Sequence, residues 1–89
     1  MLEKRASKAA SYGLTSQEYI ELHNSQDGKC AICKQEPSTK RGLHIDHDHK
    51  TGVVRGLLCH NCNIGIGNFL EDESIMLEAI KYLKSYVVE

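Results

Sequence analysis

Apolar and polar residues follow a helical period in the first third of the chain, from Leu14 onward. Thr15 followed three residues later by Glu18 matches the capping box that starts many helices, and Leu14 and Tyr19 have the spacing of a hydrophobic staple. Because glycine readily adopts the left-handed conformation that ends a helix, we expect this one to finish just before Gly28. The pattern therefore predicts a capped first helix.

A second helical period lies near the end of the printed sequence. Apolar residues recur there every three or four positions, at Met76, Ala79, Ile80, Leu83 and Val87. This spacing predicts an amphipathic helix over about residues 73–87. We expect its apolar face to pack on the core, and a partner-binding face is the alternative.

Between these helices, the pattern predicts a two-stranded ribbon. Two short runs, residues 43–47 and 53–58, are separated by the turn-forming sequence DHKTG, which suits a hairpin. Residues 34–42 contain the only proline and show no apolar period, so we expect a surface loop there. After the ribbon, a short helix is predicted to start near His60, although two glycines weaken it.

The composition indicates a small domain with a limited core. A chain of 89 residues, 40% of them hydrophobic, fits one domain over residues 1–89, with a core of about 12–70. Aromatic residues make up only 6% of the chain and Trp is absent, so we expect a staple to support the core. The four cysteines are the obvious candidates for that staple.

The start of the chain bears on the compartment in which these cysteines lie. Met1–Ser11 lacks the apolar run of a signal peptide, and no later segment is long enough to span a bilayer. We therefore expect an intracellular, cytoplasmic protein that does not contact a membrane. In such a reducing compartment thiols bind metals or stay free more often than they form disulfides.

The net charge of −1 does not by itself indicate a nucleic-acid-binding protein. The charge is uneven, however, because Lys and Arg outnumber Asp and Glu by seven to five in residues 1–41 and are outnumbered four to seven in residues 42–89. A DNA-facing side and an ordinary solvated surface are both compatible with this imbalance. The basic residues of the first segment that could face phosphates are Lys4, Arg5, Lys8, Lys40 and Arg41.

The strongest motif is a pair of Cys-x-x-Cys turns, Cys30 with Cys33 and Cys59 with Cys62, separated by 25 residues. Each turn places two thiolates on one side of a tight loop, and two such turns complete the tetrahedron that zinc accepts. Four sulfur ligands leave no open coordination position, so this zinc is expected to be structural. A thiol–disulfide redox protein is the alternative, but the chain shows no sign of the βαβ unit that accompanies such a motif.

Five ionisable residues are packed into six positions from His44 to His49, at the end of a predicted strand. Strands are more stable with apolar or β-branched residues, so this concentration requires a functional reason. A catalytic site is the leading interpretation. A histidine-rich surface loop, or a set of hydrogen-bond partners for the zinc ligands, are the alternatives.

The segment HIDHDHKTGVVRGLLCHNCN, residues 44–63, resembles the core of the recombination endonuclease VII family, a branch of the HNH nucleases found in tailed phages and bacterial genomes. YGLTSQEY and GKCAIC upstream agree as well, so the resemblance extends over most of residues 12–70. It implies an α+β class, with a small zinc-stapled ββα-metal (HNH, or His-Me finger) fold and flanking helices.

The same resemblance implies a catalytic role for four residues. Asp46 and Asn63 would bind a catalytic Mg²⁺ or Mn²⁺, and their oxygens are the hard ligands that such cations prefer. His47 would act as the general base, since an imidazole can take a proton from the attacking water. His49 is assigned to phosphate binding or transition-state stabilisation, with an exposed loop histidine as the alternative.

Three basic residues are candidate DNA contacts. Arg55 on the second strand suits a phosphate clamp, with a solvated strand arginine as the alternative. Lys40 and Arg41 lie in the predicted surface loop, where they could contact DNA. Asp48 is interpreted as either a metal ligand or a residue that stabilises the turn.

The expected activity is hydrolysis of DNA phosphodiester bonds to give 5′-phosphate and 3′-hydroxyl ends, by nicking or double-strand cutting. The phage resolvase that gives the family its name is longer, so nicking or double-strand cutting is the expected activity, with Holliday-junction resolution and a homodimer through the terminal helices as the alternative. A zinc-stabilised nucleic-acid-binding module without catalysis is the rival function, and it predicts no need for Asp46, His47 and Asn63 together.

Overall fold

The computed structural model describes residues 13–38, 40 and 42–85, which contain three helices and one two-stranded sheet. The predicted α+β class is confirmed, and a hairpin is followed directly by a helix. The proposed division into one domain over residues 1–89 stays a prediction. In chain order the elements are α1 (Ser16–Ser25), β1 (His44–His47), β2 (Val54–Leu58), α2 (His60–Asn68) and α3 (Glu73–Lys84).

The start of α1 has the predicted capping box. The Thr15 hydroxyl accepts a hydrogen bond from the Glu18 backbone N–H at 3.0 Å, and the Glu18 carboxylate accepts one from the Thr15 N–H at 2.9 Å. Two N–H groups that have no partner within the helix are therefore satisfied. Leu14 packs against the core cluster that contains Tyr19, as the predicted staple requires.

The end of α1 differs from the prediction by one residue. Gly28 is left-handed, with φ of 68°, but Asp27 before it is left-handed as well, with φ of 54°. The Gly28 N–H donates to the His23 carbonyl and the Asp27 N–H to the Asn24 carbonyl, each at 3.0 Å. This is the Schellman pattern, and Asp27 holds the position usually given to glycine.

The hairpin follows the predicted ribbon closely. β1 and β2 pair antiparallel, and the register shifts between Asp46 and His47, because Asp46 faces Gly56 whereas His47 faces Val54. Arg55 is therefore the extra residue of a β-bulge in β2. At the tip, the Asp48 carboxylate accepts hydrogen bonds from the backbone N–H groups of residues 50 and 51 at 2.8 and 2.9 Å.

The core is small and lies between α1, the hairpin and the first cysteine turn. Its buried members are Tyr19, Cys30, Leu43, Leu57 and Leu58. The Gln26 side chain joins these segments: its amide nitrogen donates to the Lys29 and Leu57 carbonyls, and its oxygen accepts from the Leu57 N–H at 3.0 Å. Gln26 thus pairs with Leu57 in the way that a neighbouring strand would.

The prediction that the last helix packs on the core is wrong for the described residues. None of the residues of α3 is buried, and none belongs to the core cluster or packs against it. Leu70 and Glu71, both left-handed, turn the chain between α2 and α3. Asp72 caps the new helix with its carboxylate, and Val87 lies outside the described residues.

Within the described part of the chain, no helix has both the length and the apolar character needed to cross a bilayer.

Candidate functional site

The four cysteines meet as their spacing predicted. The Sγ atoms of Cys30, Cys33, Cys59 and Cys62 all lie within 4.8 Å of one another, and all four thiols are free. The Cys33 and Cys59 sulfurs are 3.8 Å apart. A zinc–sulfur bond of about 2.3 Å gives a tetrahedron edge of about 3.8 Å. The cysteine cluster, as we call these four residues, can therefore hold a metal ion such as zinc.

Backbone hydrogen bonds fix both cysteine turns. In the first turn, the Cys30 sulfur accepts from the Ile32 N–H at 3.4 Å, and the Ala31 N–H donates to the Leu57 carbonyl at 3.0 Å. In the second, Cys59 is the N-cap of α2, and its sulfur accepts from the Cys62 N–H at 3.4 Å. The predicted start of a helix at His60 is confirmed. The second cysteine turn also provides the N-cap of this helix, α2.

The four thiols do not ionise equally. Burial opposes ionisation of Cys30, but backbone N–H groups, first that of Cys59, donate to its sulfur and lower its pKa to about 6. Burial, followed by contacts with the other thiols, raises the pKa of Cys62 to about 12. Since zinc binds thiolates, all four sulfurs become ligands only when a cation compensates their charge.

A second group of polar side chains surrounds the end of β1. The Arg55 guanidinium donates two hydrogen bonds to the Asp46 carboxylate, from Nε to Oδ2 at 2.7 Å and from Nη2 to Oδ1 at 2.9 Å. Asp46 is only 12% exposed whereas Arg55 is 39% exposed. Bidentate pairs of this kind are the strongest side-chain hydrogen bonds. Arg55 is thus a hydrogen-bond partner of the predicted metal ligand, and its role as a phosphate clamp stays a prediction.

The β-bulge explains how Arg55 reaches Asp46. Neighbouring residues of a regular strand point to opposite faces, so a residue next to Gly56, the partner of Asp46, would normally face away from Asp46. The extra residue in β2 removes this alternation and turns the arginine toward the carboxylate. An irregularity of the strand thus places one cationic side chain beside the candidate metal ligand.

Glu71 extends this group from outside the hairpin. One of its carboxylate oxygens accepts a hydrogen bond from Arg55 Nη2, and the other lies 2.9 Å from His49 Nε2. Asp46, Arg55, Glu71 and His49 form a continuous series, which we call the ionic network. The hydrogen bonds that Arg55 donates to Asp46 and then to Glu71 raise the pKa of Arg55, so its guanidinium stays charged.

The predicted catalytic residues occupy neighbouring elements. The ring of His47 lies 5.1 Å from that of His49, a member of the ionic network, so both histidines lie at the hairpin end. Asn63 is in the first turn of α2, a helix that contacts β1 and that the second cysteine turn caps. Asp48 stabilises the turn, which was one of its two predicted roles. Hydrogen bonds donated by the backbone N–H groups of residues 51 and 50 lower the pKa of its carboxyl group.

Of the two predicted loop contacts, the structure describes only Lys40. Lys40 is exposed in the loop between the first cysteine turn and β1, and Arg41 lies outside the described residues, as do Lys4, Arg5 and Lys8. The loop holds no helix or strand in its described positions, as predicted.

A cleft of about 450 Å³ opens beside the ionic network, between the hairpin turn and the segment that links α2 to α3. Basic and acidic side chains both line it, so it is polar and suited to a charged ligand. Its lining residues are Asp48, His49, Lys50, Arg55, Leu70, Glu71 and Asp72.

Two residues of these sites were not found from the sequence. Glu71 follows α2 without a motif, and only the ion pairs show its role. The sequence predicts only that Gln26 lies at the end of a helix, whereas its side-chain amide connects the segment before the first cysteine turn to β2. Nothing in the spacing of either residue signals these contacts, because both depend on segments distant in sequence.

Comparison with known proteins gives a consistent result. The sequence pattern of the family described as recombination endonuclease VII matches residues 5–85. Gene 59 protein of Mycobacterium phage D29 is 46% identical over 76 residues, covering 84% of this chain and 46% of that relative. Gene 59 protein of Mycobacterium phage L5 is 52% identical over 54 residues, covering 61% of this chain and 33% of that relative. The chain spans less than half the length of these two relatives.

Proposed function

Because this chain belongs to the recombination endonuclease VII family, we propose that it is a metal-dependent HNH-type endonuclease that hydrolyses phosphodiester bonds of DNA. The products are 5′-phosphate and 3′-hydroxyl ends. The observation that carries the proposal is the hairpin end, where half-buried Asp46 lies beside His47 and His49. The order β1, β2, α2 supports the ββα assignment.

In this proposal, zinc bound by the cysteine cluster has a structural role. Four sulfur ligands leave no coordination position for water or substrate. Cys59 both caps α2 and binds the ion, so zinc fixes the helix that carries Asn63. The bound zinc would thereby support the site while taking no part in hydrolysis.

A second cation, Mg²⁺ or Mn²⁺, would be held by Asp46 and Asn63. The donor types fit, because carboxylate and amide oxygens are hard ligands, and each Asp46 oxygen, which accepts one hydrogen bond from Arg55, has a second lone pair for the cation. When bound, such a cation stabilises negative charge on the phosphorus centre and on the leaving oxygen.

The chain's own side chains supply the remaining steps. His47 takes the proton of the attacking water, which a neutral imidazole can do. His49, 71% exposed at the hairpin turn, contacts the phosphate. Arg55 holds a second phosphate oxygen through its planar fork. Lys40 and Arg41 contribute weaker contacts to the DNA backbone.

The test is a plasmid-nicking assay with Mg²⁺, with Mn²⁺ and with EDTA, using wild type, His47→Ala and Asn63→Ala. Wild type should cut only with added metal, and each variant should lose about a hundredfold or more in rate. Asn68→Ala, on the same helix, is the matched control and should cut normally. Zinc content is measured for every protein, so that loss of activity is not confused with loss of fold.

Two outcomes would count against this function. If all variants cut as wild type does, the assignments of His47 and Asn63 are wrong. If wild type binds DNA but never cuts it, the chain is a zinc-stabilised nucleic-acid-binding module, the rival function.

Holliday-junction resolution is the alternative substrate class, and it requires two active sites acting together. The feature that favours it is α3, whose apolar residues Ile75, Leu77, Ile80 and Leu83 are 38–69% exposed. A homodimer through this face, detected by analytical ultracentrifugation, together with preferential cutting of four-way junctions, would establish it. A monomer that nicks linear duplexes would instead establish simple endonuclease activity.

A further inference from the structure

We propose that the Glu71 carboxylate occupies a phosphate-binding subsite formed by Arg55 and His49, so that it competes with the DNA backbone for the active site. The inference rests on the proposed nuclease function and adds a form of regulation to the same site. It makes Glu71 an internal mimic of the substrate.

The contacts of Glu71 are those that a phosphate would make. Its two oxygens are bound by a guanidinium and an imidazole, with Arg55 Nη2 on one and His49 Nε2 at 2.9 Å from the other. Guanidinium groups bind carboxylates and phosphates with the same planar geometry. The two donors belong to the hairpin, and the acceptor comes from a different segment. The carboxylate can therefore leave while the hairpin that carries both donors stays paired.

Arg55 does not depend on Glu71 for its position. Its Nε and Nη2 atoms stay bound to the Asp46 carboxylate, and Nη2 is shared between Asp46 and Glu71. A phosphate oxygen can replace the Glu71 oxygen without breaking the pair with Asp46. Only Glu71, whose side chain is 26% exposed against 12% for Asp46, must move.

The segment that carries Glu71 is suited to such movement. Leu70 and Glu71 are consecutive left-handed residues with φ of 58° and 54°, a conformation that side chains with a Cβ adopt at a cost. Leu70 is 77% exposed, so little apolar packing holds the segment. The polar cleft lies directly beside it, with Lys50 as a further basic lining residue.

The test measures DNA binding without cleavage, by fluorescence anisotropy of a short labelled duplex without Mg²⁺ or Mn²⁺. Glu71→Gln removes the competing charge and should bind about tenfold more tightly than wild type. Asp72→Asn is the matched control: it removes the same charge from the next residue, lines the same cleft and keeps an effective helix cap. It should change affinity by no more than about twofold.

The dependence of binding on salt gives a second readout. In wild type the subsite is neutralised by Glu71, whereas in Glu71→Gln it binds solution anions, which DNA must release. The slope of log affinity against log salt should therefore become steeper by about one phosphate contact in Glu71→Gln but not in Asp72→Asn. A purely structural role for Glu71 would change the melting temperature without changing this slope.

The inference is overturned if Glu71→Gln binds no more tightly than Asp72→Asn, whatever the plasmid assay shows. Glu71→Gly, which removes the charge and suits the left-handed backbone, serves as a second variant if Glu71→Gln does not retain zinc and a cooperative melt. Tighter binding by a protein that never cuts DNA supports the subsite and refutes the nuclease function. Normal cutting without tighter binding refutes the subsite alone.

Discussion

The cysteine cluster and the ionic network both join segments that are distant in sequence, but they balance charge in opposite ways. The cluster brings together four side chains of one kind, and ionising all of them requires an added cation. The network places the Arg55 guanidinium between the carboxylates of Asp46 and Glu71, so charges of opposite sign already lie together. The first site is incomplete without its ion. The second is closed, and a ligand must displace one of its members.

The largest effect that tests this contrast is loss of the zinc ligands. Cys59→Ser should unfold the chain, since binding of structural zinc contributes on the order of 10 kcal/mol, as much as the whole stability of a small domain. Serine is itself a good N-cap, so loss of the α2 cap does not explain the result. Circular dichroism and zinc content provide the measurement. A Cys59→Ser protein that melts like wild type would show that the cluster is not a staple.

Loss of the link between the first cysteine turn and β2 should have the next largest effect. Gln26→Ala leaves the part-buried Leu57 N–H and carbonyl without their side-chain partner and should lower the free energy of unfolding by about 2 kcal/mol. Gln17→Ala, which removes an exposed pair with Glu21, should cost no more than about 0.5 kcal/mol. Urea unfolding with zinc in excess compares the two, and equal costs would contradict the role of Gln26.

Leu70 offers a test of the segment that holds the ionic network together. Leu70→Gly should raise the free energy of unfolding by about 1 kcal/mol, because glycine adopts the left-handed conformation without the Cβ penalty. Leu70→Ala removes the same exposed side chain but keeps the Cβ, so it should give no such gain. A stabilisation by alanine equal to that by glycine would show that exposure of leucine, and not backbone strain, is the cause.

The smallest effect concerns the turn that carries His49. Backbone N–H donation lowers the pKa of Asp48, so ionised Asp48 stabilises the fold above the ordinary value of 3.8, and this contribution is lost as pH falls through the lower folded value. Asp48→Asn keeps an acceptor but cannot titrate. With zinc in excess, the advantage of wild type over Asp48→Asn should stay constant from about pH 7 to pH 5 and shrink as the pH falls below about 4. An advantage that grows toward low pH would contradict this sign.

Local spacing predicted much of this structure. The capping box at Thr15, the two cysteine turns and the hairpin depend on residues within a few positions of one another, and all three are present. The start of α2 was predicted for the same reason, since Cys59 serves both the turn and the helix. The assignments of Asp46, His47 and Asn63 came from the order of motifs, and they stay predictions until the cleavage assay is done.

The parts that sequence did not predict depend on tertiary context. A β-bulge is a property of how two strands pair, so the alternation of residues in β2 gave no sign that Arg55 faces Asp46. Leu70 and Glu71 lack the glycine that usually marks a left-handed helix end. For α3, an amphipathic pattern identified the apolar face, but it does not determine what, if anything, covers that face.

The Gln26 amide also constrains a residue that has no side chain. Gly56 is buried opposite Asp46, and a Cβ placed on it would lie 3.2 Å from the Gln26 side-chain oxygen and 3.8 Å from the Ala31 Cβ. Even a Cβ at position 56 would therefore require the Gln26 side-chain oxygen to shift by a few tenths of an ångström, against its pairing with Leu57. We expect the two positions to covary during evolution, with glycine at 56 retained wherever glutamine occupies 26. A residue at the end of the first helix would then limit mutational tolerance beside the candidate site.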